Sequence, residues 1–135
     1  MKFVIDTNVL LVSISSKSKH HWLYQALLDE VFVLSITNDI LAEYEEIAGN
    51  YMGAIASDSL MGLLENLQNI EYIKTYYKFD LITGDVDDNK FVDCAIASNA
   101  DCLVTHDTDF NVLKTIAFPK VKIITLDKMK EILGL

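Results

Sequence analysis

The sequence predicts a three-layer α/β/α sandwich around a central, mostly parallel β-sheet, and three observations carry that prediction. Phe3-Val4-Ile5 is a short apolar run that stops at a carboxylate, Asp6, in the manner of a buried parallel strand. Residues 101–105 repeat the arrangement, with an apolar run that ends at His106-Asp107. Runs of strand length also alternate with segments of helical period, the pattern of βα units. A chain of 135 residues suffices for one domain with one sizeable core, taken as residues 1–135.

Taken in order, the strand at 3–5 leads into a first helix over 8–16, mostly apolar with a serine-rich end. Lys17-Ser18-Lys19-His20-His21 is a polar break. A second helix spans 22–29, with Trp22, Ala26 and Leu27 at helical spacing and Tyr24 and Leu28 widening the face. Residues 31–34 are β-branched and aromatic, hence strand. Residues 35–38 offer helix-starting side chains, and a helix over 40–48 follows, stopped near Gly49. Residues 55–67 are helical, and 70–82 combine a short strand with an irregular passage. Gly84-Asp85-Val86-Asp87-Asp88 is an acidic turn that opens a helix over 89–99. The buried strand at 101–105 then passes into a polar turn over 106–110. A short helix before Pro119, a strand over 121–125 and a closing helix over 127–133 complete the chain. No linker, low-complexity stretch or internal repeat divides it.

Composition narrows the function classes. No apolar run reaches the ~18–20 residues of a membrane span, and the N-terminus lacks the pattern of a secretory signal. Cys94 and Cys102 lie in a helix and a strand and fit a reduced, cytoplasmic protein better than a metal-ligand pair. Acidic residues number 20 against 11 basic ones, and every basic residue is a lysine. That balance disfavours a general nucleic-acid binder, because phosphate contacts need positive charge and arginine supplies the bidentate ones. Metal ions or a basic partner protein could supply the missing charge.

Four acids stand out as candidates to meet at one place: Asp6, Glu43, Asp88 and Asp107. In parallel sheets the ligand crevice lies at the carboxyl ends of the strands, where Asp6 and Asp107 fall. Each could equally be a turn or helix cap, although the same arrangement occurs twice. Thr7, Asn8 and Thr105 could orient a carboxylate or a metal-bound water, or serve as caps. On a helical wheel, Glu43 borders the apolar arc of Ile40, Leu41, Tyr44, Ile47 and Ala48, whereas Glu46 points away; a solvated edge glutamate is the bland alternative. Asp88 opens a helix, where an acid favours the macrodipole whatever its function, and Asp85 and Asp87 compete for the role. Asp93 lies roughly 140° around the helix from Asp88, so the two would not share one ligand. Asp109 could supplement or replace Asp107. Carboxylates crowded within ~5 Å repel by ~3 kcal/mol per pair at an effective dielectric near 20, so such a cluster must protonate or bind cations. Oxygen-only ligands favour Mg²⁺ or Mn²⁺ over zinc.

The order of these pieces resembles the PIN-domain family, and within it the VapC-type toxins. The matching stretches are Val4-Ile5-Asp6-Thr7-Asn8-Val9-Leu10, Ser35 with Ile40-Leu41-Ala42-Glu43-Tyr44, Asp88-Asn89-Lys90-Phe91-Val92-Asp93-Cys94-Ala95, and residues 101–110. The resemblance implies a parallel-sheet fold with an acidic pocket, dependence on Mg²⁺ or Mn²⁺, and endoribonuclease activity on RNA. It assigns the family's acids to Asp6, Glu43, Asp88 and Asp107. A cognate antitoxin protein and a homodimer are the partners it implies. The departures are the absence of arginine and the acidic net charge of −9.

On this reading Asp6, Glu43 and Asp88 hold the principal metal, and Asp107 completes that site or a second one. Lys17, Lys19, His20, His21 and Lys90 are candidate RNA contacts, with solvated surface residues as the plain alternative. His106 adjoins the pocket as a proton-transfer candidate or a turn histidine. Two rivals remain: a phosphoacceptor receiver domain, which leaves Glu43 and Asp88 without roles, and a PIN-like scaffold that only binds a protein.

Overall fold

The computed structural model describes residues 1–135. Five parallel strands form one sheet: β1 (Lys2–Ile5), β2 (Val33–Ile36), β3 (Ile70–Tyr72), β4 (Cys102–Val104) and β5 (Ile123–Ile124). Helices flank it: α1 (Thr7–Val12), α2 (His21–Leu28), α3 (Asn38–Met52), α4 (Ala54–Asn66), α5 (Asn89–Ser98) and α6 (Leu126–Leu133). Short 3₁₀ segments at Val86–Asp88 and Thr108–Thr115 complete the regular structure.

The apolar runs that predicted strands become the centre of the core. Phe3, Val4, Ile5, Leu34, Ile36, Leu103 and Val104 are all fully buried, each large side chain contributing ~1.5–3 kcal/mol relative to exposure. The strand order is β3-β2-β1-β4-β5. The chain thus starts in the middle, builds outward to β3, then returns to lay β4 against the free side of β1. This reversal opens a crevice between the carboxyl ends of β1 and β4. Register sharpens the point: Ile5 pairs with Val104, so the next residues, Asp6 and Thr105, stand side by side.

Several local expectations are corrected. Helix α1 ends at Val12 rather than 16, where the Ser13 hydroxyl takes the Leu10 carbonyl of the last turn. On α2 the buried face is Leu23, Ala26 and Leu27, while Trp22 is half-buried with the Lys130 ammonium 5.8 Å from its ring centre. Helix α3 passes through Gly49 and stops at Gly53, whose φ of 87° is the left-handed region that glycine tolerates. Packing against α4 favours continuation, and the Ser57 hydroxyl of α4 donates to the Glu45 carbonyl at 2.9 Å. The 3₁₀ segment begins at Thr108, inside the expected turn, and β5 is two residues rather than five.

The irregular passage before α5 is pinned from below. Asn89 Oδ1 accepts from the Ile82 N–H at 2.8 Å and its Nδ2 donates to the Ile82 carbonyl at 2.9 Å. Asp93 Oδ1 accepts from the Phe79 N–H at 3.2 Å. No helix is long and apolar enough to cross a membrane.

Candidate metal centre

Asp6 follows β1 directly, and its N–H donates to the Val104 carbonyl at 3.0 Å, extending the β1–β4 pairing. Thr105 Oγ1 donates to Asp6 Oδ2 at 2.8 Å and accepts from the Asp107 N–H at 3.0 Å. Asp107 Oδ1 in turn accepts from the Asp109 N–H at 2.9 Å. One chain of short hydrogen bonds therefore links the ends of β1 and β4 to both later acids. Burial raises the pKa of Asp6, opposed by hydrogen bonds from Thr105 and the Thr7 N–H and reinforced by the charges of Glu43 and Asp107.

Glu43 reaches the same region from α3. It accepts from the Thr7 hydroxyl and pairs with the Lys90 ammonium at 2.8 Å. Burial works most strongly against the charge of Lys90, but the bond to Glu43 together with the charges of Glu43, Asp87 and Asp39 outweighs it and raises the lysine's pKa. Lys90, an RNA-contact candidate on sequence grounds, is thus engaged as the counter-ion of Glu43. One residue along α3, the buried Tyr44 hydroxyl donates to the Ile5 carbonyl at 2.6 Å, fixing the helix to the strand that carries Asp6.

The tightest group is Asp88, Asp107 and Asp109. One oxygen from each lies within 4.8 Å of the others. Asp88 Oδ2 is buried and has no hydrogen-bond partner. Its pKa is pushed up to about 7, first by burial and then by the charges of Asp107, Asp85, Asp6 and Asp109. Gly84 packs beside this group, where a Cβ would be in ordinary contact, 3.4 Å, with the Asp109 carboxyl. A buried oxygen without a donor, beside two further carboxylates, fits a hard divalent cation; the acidic triad can hold a metal.

The structure therefore brings Asp88 closest to Asp107 and Asp109, with Asp6 and Glu43 electrostatically coupled but anchored to their own partners. Asn8 lines an adjoining cavity of about 280 Å³ with Asp6, His106 and Asp107. Asp93 is not brought to the acids; it anchors Phe79, and burial raises its pKa despite that bond. His106 Nε2 accepts from the Leu126 N–H at 3.2 Å, so the ring holds the start of α6. Lys17 and Lys19 are exposed, His20 is half-buried, and a ring nitrogen of His21 lies 2.9 Å from the Ser13 carbonyl. Sequence reasoning missed the Lys90–Glu43 pair, for which the sequence carries no local signal.

A parallel sheet with an oxygen-only acidic cluster at its carboxyl edge defines a class of α/β protein able to hold a divalent cation. The chain belongs to the PIN-domain family, whose model matches residues 2–109. Solved structures share the fold. VapBC2 from Rickettsia felis, bound to a DNA fragment from the promoter, superposes with TM-score 0.61 at 20% identity, over 93% of this chain and 98% of that one. VapBC-1 from nontypeable Haemophilus influenzae gives TM-score 0.61 at 17% identity, over 94% and 99%. VapC20 of Mycobacterium tuberculosis, a sarcin-ricin loop cleaving toxin, gives 0.59 at 11% identity, over 81% and 92%. A search of curated protein sequences finds no match.

Proposed function

We propose that residues 1–135 act as one PIN nuclease domain, a cytoplasmic Mg²⁺- or Mn²⁺-dependent endoribonuclease that is the toxin of a toxin–antitoxin pair. The observation that carries this reading is the Asp88 carboxylate, whose Oδ2 is buried and unpartnered and which has an oxygen within 4.8 Å of oxygens from Asp107 and Asp109. Asp88, Asp107 and Asp109 would hold the metal, with Asp6 and Glu43 extending the site. A divalent cation held there would supply positive charge to a phosphate and acidify a water for in-line attack. The chain's own residues set that up. Thr105 orients Asp6, Thr7 and Lys90 fix Glu43, and burial raises the Asp88 pKa to about 7, so that a cation would compete there with a proton. The charge a cation brings also offsets the absence of arginine. The toxin assignment and a cognate antitoxin are supported by the likeness to VapC and VapBC structures, and a homodimer is part of the same proposal.

The test is cleavage of a labelled, mixed RNA pool by the purified protein with Mn²⁺, with Mg²⁺ and with chelator, alongside Asp6→Asn. Metal-dependent cutting that vanishes in the variant is the expected result. Cutting that survives the substitution, or needs no metal, would remove the reading. No cutting and no metal-induced rise in melting temperature would leave a protein-binding PIN scaffold, which the net charge of −9 favours.

A further inference from the structure

A cavity of about 430 Å³ opens between the 3₁₀ segment and α6, lined by Lys114, Lys122 and Lys128 together with Asn111 and Thr108. It shares His106 and Asp107 with the cavity that holds Asp6, so the two adjoin. Its charge is unusual for this molecule. Three of the chain's 11 lysines line it against one carboxylate, Asp107. In the neighbouring cavities on the Glu43 side, carboxylates outnumber lysines. Lys114 and Lys122 form no ion pair, whereas Lys128 contacts Glu131 at 3.3 Å. The first turn of α6 is already capped, because Thr125 Oγ1 accepts from the Lys128 N–H. The lysine side chains, rather than a free helix end, are what would attract an anion.

We propose that this cavity is a phosphate subsite, in which Lys114 and Lys122 hold the backbone of a single-stranded RNA next to the bond that lies at the acidic centre. The inference rests on the ribonuclease reading and adds the direction in which the strand leaves the centre. A volume of about 430 Å³ is within the ~300–1,000 Å³ of small-ligand sites and accommodates a nucleotide unit. Lysine ammonium groups serve here as point charges, in a chain without arginine to make bidentate contacts. The acidic lining of the cavities on the Glu43 side would disfavour that route for the strand.

The test is binding of a short fluorescent single-stranded RNA to the full chain in chelator, followed by anisotropy as salt is varied. In Lys114→Ala/Lys122→Ala, Kd is expected to rise about ten-fold at ~50 mM salt. The slope of log K against log salt should fall by about 1.4, at ~0.7 per phosphate contact on a single strand. Lys114→Arg/Lys122→Arg should retain binding, and Lys74→Ala/Lys78→Ala, exposed beyond β3 at the opposite edge of the sheet, should match wild type. The metal-induced rise in melting temperature should be equal in all of them. If wild type binds and cuts RNA and the alanine pair does so equally, the subsite is wrong and the nuclease stands. If wild type neither binds nor cuts, both fall. Loss of binding to an acidic peptide with RNA binding unchanged would assign the cavity to a protein partner and overturn the proposal.

Discussion

Asp88→Asn is expected to act with opposite signs depending on whether a divalent cation is present. In the metal-free protein the Asp88 carboxyl is raised from 3.8 to about 7, chiefly by burial. The folded state therefore holds more protons than the unfolded state between these values, so stability falls as pH rises through that window and levels off above it. At ~1.4 kcal/mol per pH unit the full penalty is about 4 kcal/mol. One oxygen is buried and the rest of the residue is part-exposed, so solvent screening reduces this to about 1–2 kcal/mol. The amide removes the penalty, and in chelator at pH 8 the variant should melt about 4–8 °C higher than wild type. At pH 4 the difference should shrink toward zero. With Mn²⁺ at ~100 times its Kd, wild type should gain about 2.7 kcal/mol, and the variant should lose most of that gain. Differential scanning fluorimetry at both pH values, with and without Mn²⁺, reads all four quantities. A variant that melts lower than wild type in chelator at pH 8, or keeps the full Mn²⁺ response, would refute the reasoning.

Two further substitutions separate the site from its supports. Gly84→Ala places a methyl in ordinary contact, 3.4 Å, with the exposed Asp109 carboxyl, so Mn²⁺ affinity by calorimetry and the circular dichroism spectrum should both stay close to wild type. His106→Ala removes the acceptor of the Leu126 N–H, which should cost about 1–2 kcal/mol in urea unfolding; a loss of kcat beyond about ten-fold would instead assign the ring to proton transfer.

What could be read from the chain followed from periodicity. Asp6 and Asp107 were placed because apolar runs of strand length stop at them, and register then put Asp6 beside Thr105. Glu43 was found because helical spacing set it at the edge of a buried arc, and it is part-buried as that spacing required. The tight grouping of Asp109 with Asp88 was not legible, since it depends on a turn in which Asp107 accepts from the Asp109 N–H. The pairing of Lys90 with Glu43 is not legible locally, because the two lie 47 residues apart in sequence. Gly49 reads as a helix stop because glycine usually punctuates, yet α3 continues to Met52, packed against α4. Local pattern located the strand ends; long-range side-chain pairing decided which acids meet.

The most direct measurement is anomalous diffraction from crystals soaked in Mn²⁺, with data collected above the manganese edge. A peak at ~2.0–2.3 Å from oxygens of Asp88 and of Asp107 or Asp109 is the expected result, lost in crystals of Asp88→Asn. Full occupancy at other carboxylates with no peak beside Asp88 would contradict the assignment of this cluster as the metal centre.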